Sequence, residues 1–320
     1  MTINLKEVIQ ALEDSRRVLI CSHIEPDGDS VGSQLALAEL LDSRGKETRI
    51  VNQDPVPSRY RFLDPHGRIL GRLTSGFQPD TAVILDCSSQ ERLGDIGELI
   101  TADMVTVTID HHRAKPGPDD PAYIDLQASS TGELINDIIR ELNVSIGPRQ
   151  ADRLYTAIFS DTGGFRFPNT TGKSLAIAAE LIRCGARPHH IASKIYEERS
   201  LSSLKLLGHA LEKLSALENG RVNMVSLDSE DLNHCGAGPG EAEGIVDALI
   251  TVKDALVGAL MREMPSGAIK VNLRTRGGIK ANRIAEALGG GGHPNAAGYR
   301  TGAPLDQAQA ALLDEIRKWL

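Results

Sequence analysis

The chain has 320 residues, enough for two domains with separate cores, and 41% hydrophobic with 24% charged content is the balance of an ordinary globular protein. A formal net charge of −8 argues against a broad, non-specific nucleic-acid surface, but leaves room for a small basic pocket that takes a short anionic substrate. Lys6, Glu7, Glu13 and Asp14 interrupt the amino-terminal stretch, and Cys21, Cys87, Cys184 and Cys235 form no C-x-x-C pair, so a cytoplasmic protein with reduced thiols and no signal or membrane span is expected.

Leu5, Val8, Ile9 and Leu12 recur at helical spacing and predict an amphipathic helix over 4–15. V-L-I-C at 18–21 predicts a short buried strand. S-H-I-E-P-D-G-D-S-V-G-S at 22–33 reads as a tight loop marked by Pro26, Gly28 and Gly32, leading into a helix that carries Val31, Leu35 and Leu41. Further strands are expected at 48–51 and 81–85, the second closing on Asp86. The β-branched run V-T-V-T-I at 105–109, within a strand expected over 104–109, delivers Asp110, His111 and His112 to its end. Leu134, Ile135, Ile138, Ile139 and Leu142 define one helix, and another spans 148–160, ending at Asp161-Thr162-Gly163-Gly164. This alternation predicts an α/β amino-terminal domain over 1–185, a mostly parallel sheet with helices on both faces. Residues 173–217 turn strongly helical, and a helical connector is placed at 186–220. A smaller carboxyl-terminal α/β domain follows over 221–320. It holds strands at 221–227, 256–264 and 269–276, helices at 243–251 and 281–288, a glycine-rich loop at 289–298 and a terminal helix.

Four polar clusters sit at ends of predicted elements: His23/Asp27/Asp29, Asp86, Asp110/His111/His112 and Asp161. A parallel sheet can gather all of them at one edge, where open α/β sheets place their ligand sites. Gathered carboxylates repel one another unless a counter-charge is supplied. Two divalent cations would balance Asp27, Asp29, Asp86 and Asp161. Oxygen and imidazole donors without thiolate favour Mn²⁺ or Mg²⁺, and two such ions can activate a bridging hydroxide and stabilise phosphoryl transfer. Taken singly, each aspartate could equally be a loop residue or a helix cap, Asp29 and Asp161 most readily.

Together, H-I-E-P-D-G-D-S-V-G-S, the Asp86 strand end, Asp110-His111-His112 and S-D-T-G-G resemble the DHH phosphoesterase superfamily over residues 1–170. That group includes RecJ-type exonucleases and manganese-dependent family II inorganic pyrophosphatases. The resemblance implies one metal held by His23, Asp27 and Asp86, and a second held by Asp29, Asp86, His111 and Asp161, with Asp86 bridging. It further implies a catalytic set of Asp86, His112 on the scissile phosphate and Asp110 orienting an imidazole.

G-G-G-G-H-P-N-A-A-G at 289–298 resembles the signature of the DHH-associated domain, and K-V-N-L-R-T-R at 270–276 resembles the basic strand before it. Glycines let backbone N–H groups approach a phosphate closely, and residues 269–300 hold six Lys or Arg against the single acid Glu286. Arg274, Gly290, Gly291, Gly292 and His293 are therefore expected to bind substrate together with His112. The loop lacks a following Lys-Ser/Thr, so triphosphate hydrolysis is not indicated. Five Phe, five Tyr and one Trp do not support an extended base-stacking channel. The two-domain layout is similar to the bacterial oligoribonuclease/PAP phosphatase group. It implies hydrolysis of short RNA to mononucleotides and of 3′-phosphoadenosine 5′-phosphate (pAp) to AMP. A cyclic or linear dinucleotide phosphodiesterase is the alternative, ahead of a RecJ-like exonuclease or a non-catalytic nucleotide-binding module. No long duplex and no membrane are expected as partners, and a homodimer is left open. Arg166 and Asn169 are weaker candidates to approach substrate. His189-His190 reads as an exposed pair, and His66, His209 and His234 as lacking carboxylate partners at ligand spacing.

Overall fold

The computed structural model describes residues 4–87, 89–114, 116–117 and 119–320. It divides into two compact units, Met1–Glu198 and Arg199–Leu320, so the stretch 186–220 is shared between them.

The first unit runs α1 (Leu5–Asp14), β1 (Arg17–Ser22), α2 (Gly28–Ser43), β2 (Glu47–Val51), β3 (Ile69–Leu70), β4 (Thr81–Leu85), β5 (Val105–Asp110), β6 (Ala122–Ile124), α3 (Thr131–Glu141), α4 (Pro148–Asp161), α5 (Gly172–Arg183) and α6 (Pro188–Ala192). Its six strands form one sheet in the order β3-β2-β1-β4-β5-β6, with every neighbouring pair parallel. The order reverses between β1 and β4. At such a switch point successive crossovers diverge and leave a crevice outside the carboxyl ends of the strands.

Both faces of the sheet are covered, which is why its strands read as continuous apolar runs. Val18 and Ile20 of β1 and Val83 and Leu85 of β4 pack with Leu35, Leu134 and Ile158 from three helices. Leu19, Cys21 and Ile84, one residue out of phase, pack instead with Leu93 and Ile96. This second face is covered by 3₁₀ turns over Gln90–Leu99, not by α-helices.

Gly28 and Gly32, read from sequence as loop markers, lie inside α2. A Cβ at Gly32 would stand 2.4 Å from the Arg153 carbonyl oxygen, so glycine there lets α2 and α4 approach backbone to backbone. The cap of α2 is Asp27; Asp29 is in the first turn of α2 and Asp161 is the last residue of α4.

The second unit runs α7 (Leu201–Glu212), β7 (Ser215–Leu217), β8 (Val222–Leu227), α8 (Ser229–Cys235), α9 (Ile245–Leu249), β9 (Val257–Glu263), β10 (Ile269–Thr275), α10 (Ala281–Ala287), β11 (Gly291–His293), β12 (Ala296–Thr301) and α11 (Leu305–Arg317). Its sheet is ordered β11-β12-β10-β9-β8-β7, antiparallel except for the parallel pair β8–β9. On β10, Val271 and Leu273 point into the core, while Lys270, Asn272 and Arg274 occupy the half-buried face. The expected glycine-rich loop is a hairpin in which Gly291 faces Gly298 and His293 faces Ala296. Gly292 has φ 137°, and a Cβ there would meet Ala296 O at 2.7 Å, so the hairpin itself demands glycine. Among the described residues no helix is long and apolar enough to cross a membrane.

Candidate active site

Each cluster foreseen at an element end arrives by a distinct local device. After β1 the chain turns through His23 to Asp27, whose Oδ1 accepts the Asp29 and Ser30 N–H groups at 3.0 Å each and so starts α2. The other Asp27 oxygen takes no part in the cap. Asp29, fully buried, accepts from Thr131 N at 2.7 Å and Gly132 N at 2.9 Å, amides that open α3, and from Ser33 Oγ at 3.0 Å. A helix amino terminus is a favourable place for a buried carboxylate. Asp86 leaves β4 with φ 54°, a left-handed backbone that Asp tolerates better than bulkier residues. Asp110 ends β5, His111 and His112 follow it, and Asp161 ends α4.

The fold brings these residues together around Asp86. Its Oδ2 lies 3.5 Å from His23 Nε2, while its Oδ1 lies 3.6 Å from His111 Nε2 and 3.4 Å from His112 Nδ1. His111 Nε2 is also 3.3 Å from Asp161 Oδ2 and 3.8 Å from Asp29 Oδ2. The ligand atoms of His23, Asp27 and Asp86 lie within 4.8 Å of one another, as do those of Asp29, His111 and Asp161. Asp86 thus shows one oxygen to each group.

The imidazoles are held in the state a metal ligand needs. His23 Nδ1 is 2.7 Å from Ile24 O, and His111 Nδ1 is 3.3 Å from Ala128 O. A carbonyl only accepts, so each Nδ1 carries the proton and each Nε2 faces the carboxylates. Asp110, also fully buried, accepts from both the backbone N–H (2.8 Å) and Nδ1 (2.7 Å) of His112, which aims that ring. Two hydroxyls escaped the sequence reading. Ser30 Oγ lies 2.8 Å from His23 Nε2 and 2.9 Å from Asp86 Oδ2, with one proton to serve them, and Thr131 Oγ1 donates to Asp86 at 3.3 Å. Ser30 follows the D-G-D motif directly and could have been noticed. Thr131 opens a distant helix, and no spacing rule points to it.

The electrostatics fit a divalent cation. Burial, then the Asp86 and Asp27 charges, push the Asp29 carboxyl well above the usual range, and burial with Asp29, Asp27 and Asp86 does the same to Asp161. Burial opposes charge on His23 and His112 too, yet Asp86 raises the first and Asp110 the second above an ordinary imidazole. Asp86 is held far below the usual carboxylate range against its own burial, chiefly by His23 and His112. The protons taken up by rings and carboxyls stand in for missing positive charge. A cation among all-oxygen and imidazole donors would supply it.

The second unit's candidates are placed differently. Arg274 pairs with Asp247 at 2.7 Å. The Gly290 N–H is committed to Ala285 O at 2.8 Å, so it is not available to a phosphate. Gly291, Gly292 and His293 form β11, the edge strand of the sheet. Of the weaker candidates, Asn169 donates to Ser129 O and Asp161 O at 3.0 and 3.1 Å, which makes it a brace of the Asp161 turn, and Arg166 donates to Gly163 O at 2.6 Å. His209 does have a carboxylate partner, Asp231 at 2.6 Å, supplied by the fold from a separate helix. His190 packs edge-on against Phe62 at 5.7 Å and is not freely exposed. Cys21 and Cys87 are buried in the second-face core, and burial pushes the Cys87 thiol up to about 12, so both are packing residues.

Residues 17–158 match the DHH family, N-terminal domain, and residues 222–320 match the DHHA1 domain. The chain is 32% identical, over 98% of its length and 93% of the relative's, to the bifunctional oligoribonuclease and PAP phosphatase NrnA of Thermus thermophilus. It is 28% identical to the protein of the same name from Bacillus subtilis, with 96% of each chain covered. Among solved structures it is similar to an exopolyphosphatase-related protein from Bacteroides fragilis, with a TM-score of 0.89, 26% identity, and 98% of this chain and 96% of that one covered. With its acidic and imidazole motifs gathered at one switch point, the chain belongs to the DHH family, a metal-dependent phosphoesterase that carries a DHHA1 domain.

Proposed function

We propose that this enzyme hydrolyses short oligoribonucleotides to mononucleotides and pAp to AMP, with two divalent cations, manganese before magnesium, at the Asp86 cluster. The observation that carries the reading is Asp86 itself, with one oxygen toward His23 and the other toward His111. His23, Asp27 and Asp86 would hold one ion, and Asp29, Asp86, His111 and Asp161 the other. Bound there, the cations would supply a nucleophile from water and offset charge on the phosphoryl group. Asp110 holds Nδ1 of His112, so Nε2 is the nitrogen left to reach a phosphoryl oxygen.

The nucleotide part of the proposal rests on the names of the relatives and on the basic stretch 269–300 of a second unit that has few aromatic residues. Residues 1–185 are assigned catalysis and 221–320 substrate capture, with Arg274, Gly291, Gly292 and His293 as contacts. The exposed Arg274–Asp247 pair is of a kind worth little, so exchanging Asp247 for a bidentate phosphate costs little. Gly290 serves by close packing. The cysteines are free among the described residues, which fits a reducing, cytoplasmic setting.

Manganese-loaded protein incubated with labelled di- to pentaribonucleotides and with pAp should release mononucleotides and AMP. Release of neither sinks the substrate assignment, and preferential cleavage of a cyclic dinucleotide replaces it with a dinucleotide phosphodiesterase.

A further inference from the structure

The chemistry above uses acids and imidazoles of the first unit but none of its arginines. Arg92 lies in the 3₁₀ turns Gln90–Leu99 that follow Asp86 and is half-buried. Its carbonyl accepts the Ile24 N–H at 2.7 Å, beside His23, and its own N–H donates to Ser89 O at 3.1 Å. One residue is thereby fastened both to the loop that opens α2 and to the turn after β4, the two sides of the switch point. Other partly buried arginines of this unit are engaged: Arg153 by Glu39, Arg68 by Asp42 and Arg49 by Glu47. The Arg92 side chain makes no ion pair or hydrogen bond among the described residues. Its guanidinium is close enough to act electrostatically on His23, His112 and Cys87.

The two backbone bonds fix where Arg92 leaves the chain, between the His23 loop and the turn after Asp86, and no ion pair among the described residues commits its guanidinium. The planar fork of arginine matches the oxygens of a phosphate. We propose that Arg92 is the phosphate-binding residue of the first unit, gripping non-bridging oxygens of the phosphoryl group attacked at the Asp86 cluster. The inference rests on phosphoester chemistry at that cluster and not on the identity of the nucleotide.

The test uses the full-length, manganese-loaded protein with bis(p-nitrophenyl) phosphate, pAp and a diribonucleotide as substrates, and inorganic phosphate as a calorimetric probe. Arg92→Gln should lower kcat/KM about 10²-fold on whichever substrates the wild type cleaves, with manganese content and melting temperature unchanged. Arg92→Lys should retain part of the activity. Guanidinium added to Arg92→Ala should restore turnover, which a merely structural role would not allow. Phosphate affinity should fall about tenfold in Arg92→Gln. Unchanged kcat/KM and phosphate affinity would overturn the proposal, and so would activity lost in step with manganese or folding and unrelieved by guanidinium. A wild type that binds no phosphate overturns it as well. Cleavage of bis(p-nitrophenyl) phosphate but of neither nucleotide defeats the substrate assignment and leaves Arg92 standing.

Discussion

Asp86 in the first unit and Asp231 in the second each meet a histidine, yet they belong to different kinds of structure. Asp231 accepts from His209 and Lys213 and closes a capping box with Asp228 at the start of α8. Burial opposes its charge, but Lys213 and His209 hold its pKa at about 2, and its anion is matched by a cation close by. Asp86 shares its pocket with Asp27, Asp29, Asp110 and Asp161, and among the described residues its ionic contacts are imidazoles alone, positive only as far as rings such as His23 and His112 take up protons. A carboxylate beside an imidazole is therefore not yet a site. Buried charge left uncompensated is what marks one.

Substitutions can break this contrast. Asp86→Asn should have the largest effect, a loss in kcat/KM of at least about 10³-fold together with lost manganese, read by turnover and by elemental analysis. A variant that keeps both would remove Asp86 from the centre. Asp110→Asn should leave manganese bound but cost about 10- to 100-fold in kcat, because a neutral amide in place of the carboxylate holds the His112 ring more weakly and no longer supports its charge. Metal lost together with activity would instead make Asp110 a ligand. Gly32→Ala presses a methyl group against the Arg153 carbonyl and should destabilise the first unit by about 1–3 kcal/mol in denaturant titration.

Asp231→Asn should have the smallest effect, about 1–2 kcal/mol of stability with kcat/KM unchanged. Its pKa lies below that of an unfolded aspartate, so its contribution is present above about pH 4 and fades as pH falls toward about 2. Melting curves of wild type and Asp231→Asn should converge across that window. If Asp231→Asn abolished turnover, the two clusters would be alike and the contrast would fail.

Much of the site was legible from sequence because strand ends and motif spacing are local. The runs 81–85 and 105–109 announce buried strands, and the acids and histidines after them stand where the structure places them. Short elements were not legible: β3, β6 and β7 have two or three residues, too few to show a period. Nor was the hairpin in the glycine run, since glycine composition signals freedom of the backbone and not the close approach to β12 that uses it.

By itself, then, the sequence determined which acids and imidazoles stand at element ends and which elements deliver them, since periodicity and capping act over a few residues. Tertiary structure alone decided that β1 lies beside β4, so that His23 and Asp86 meet across the switch point. It also decided that the first amides of α3 cradle Asp29 and that His209 finds Asp231. The reason is physical: sheet order and helix packing are set by burying apolar faces that lie far apart in the chain, and polar partners brought together that way leave no spacing to read.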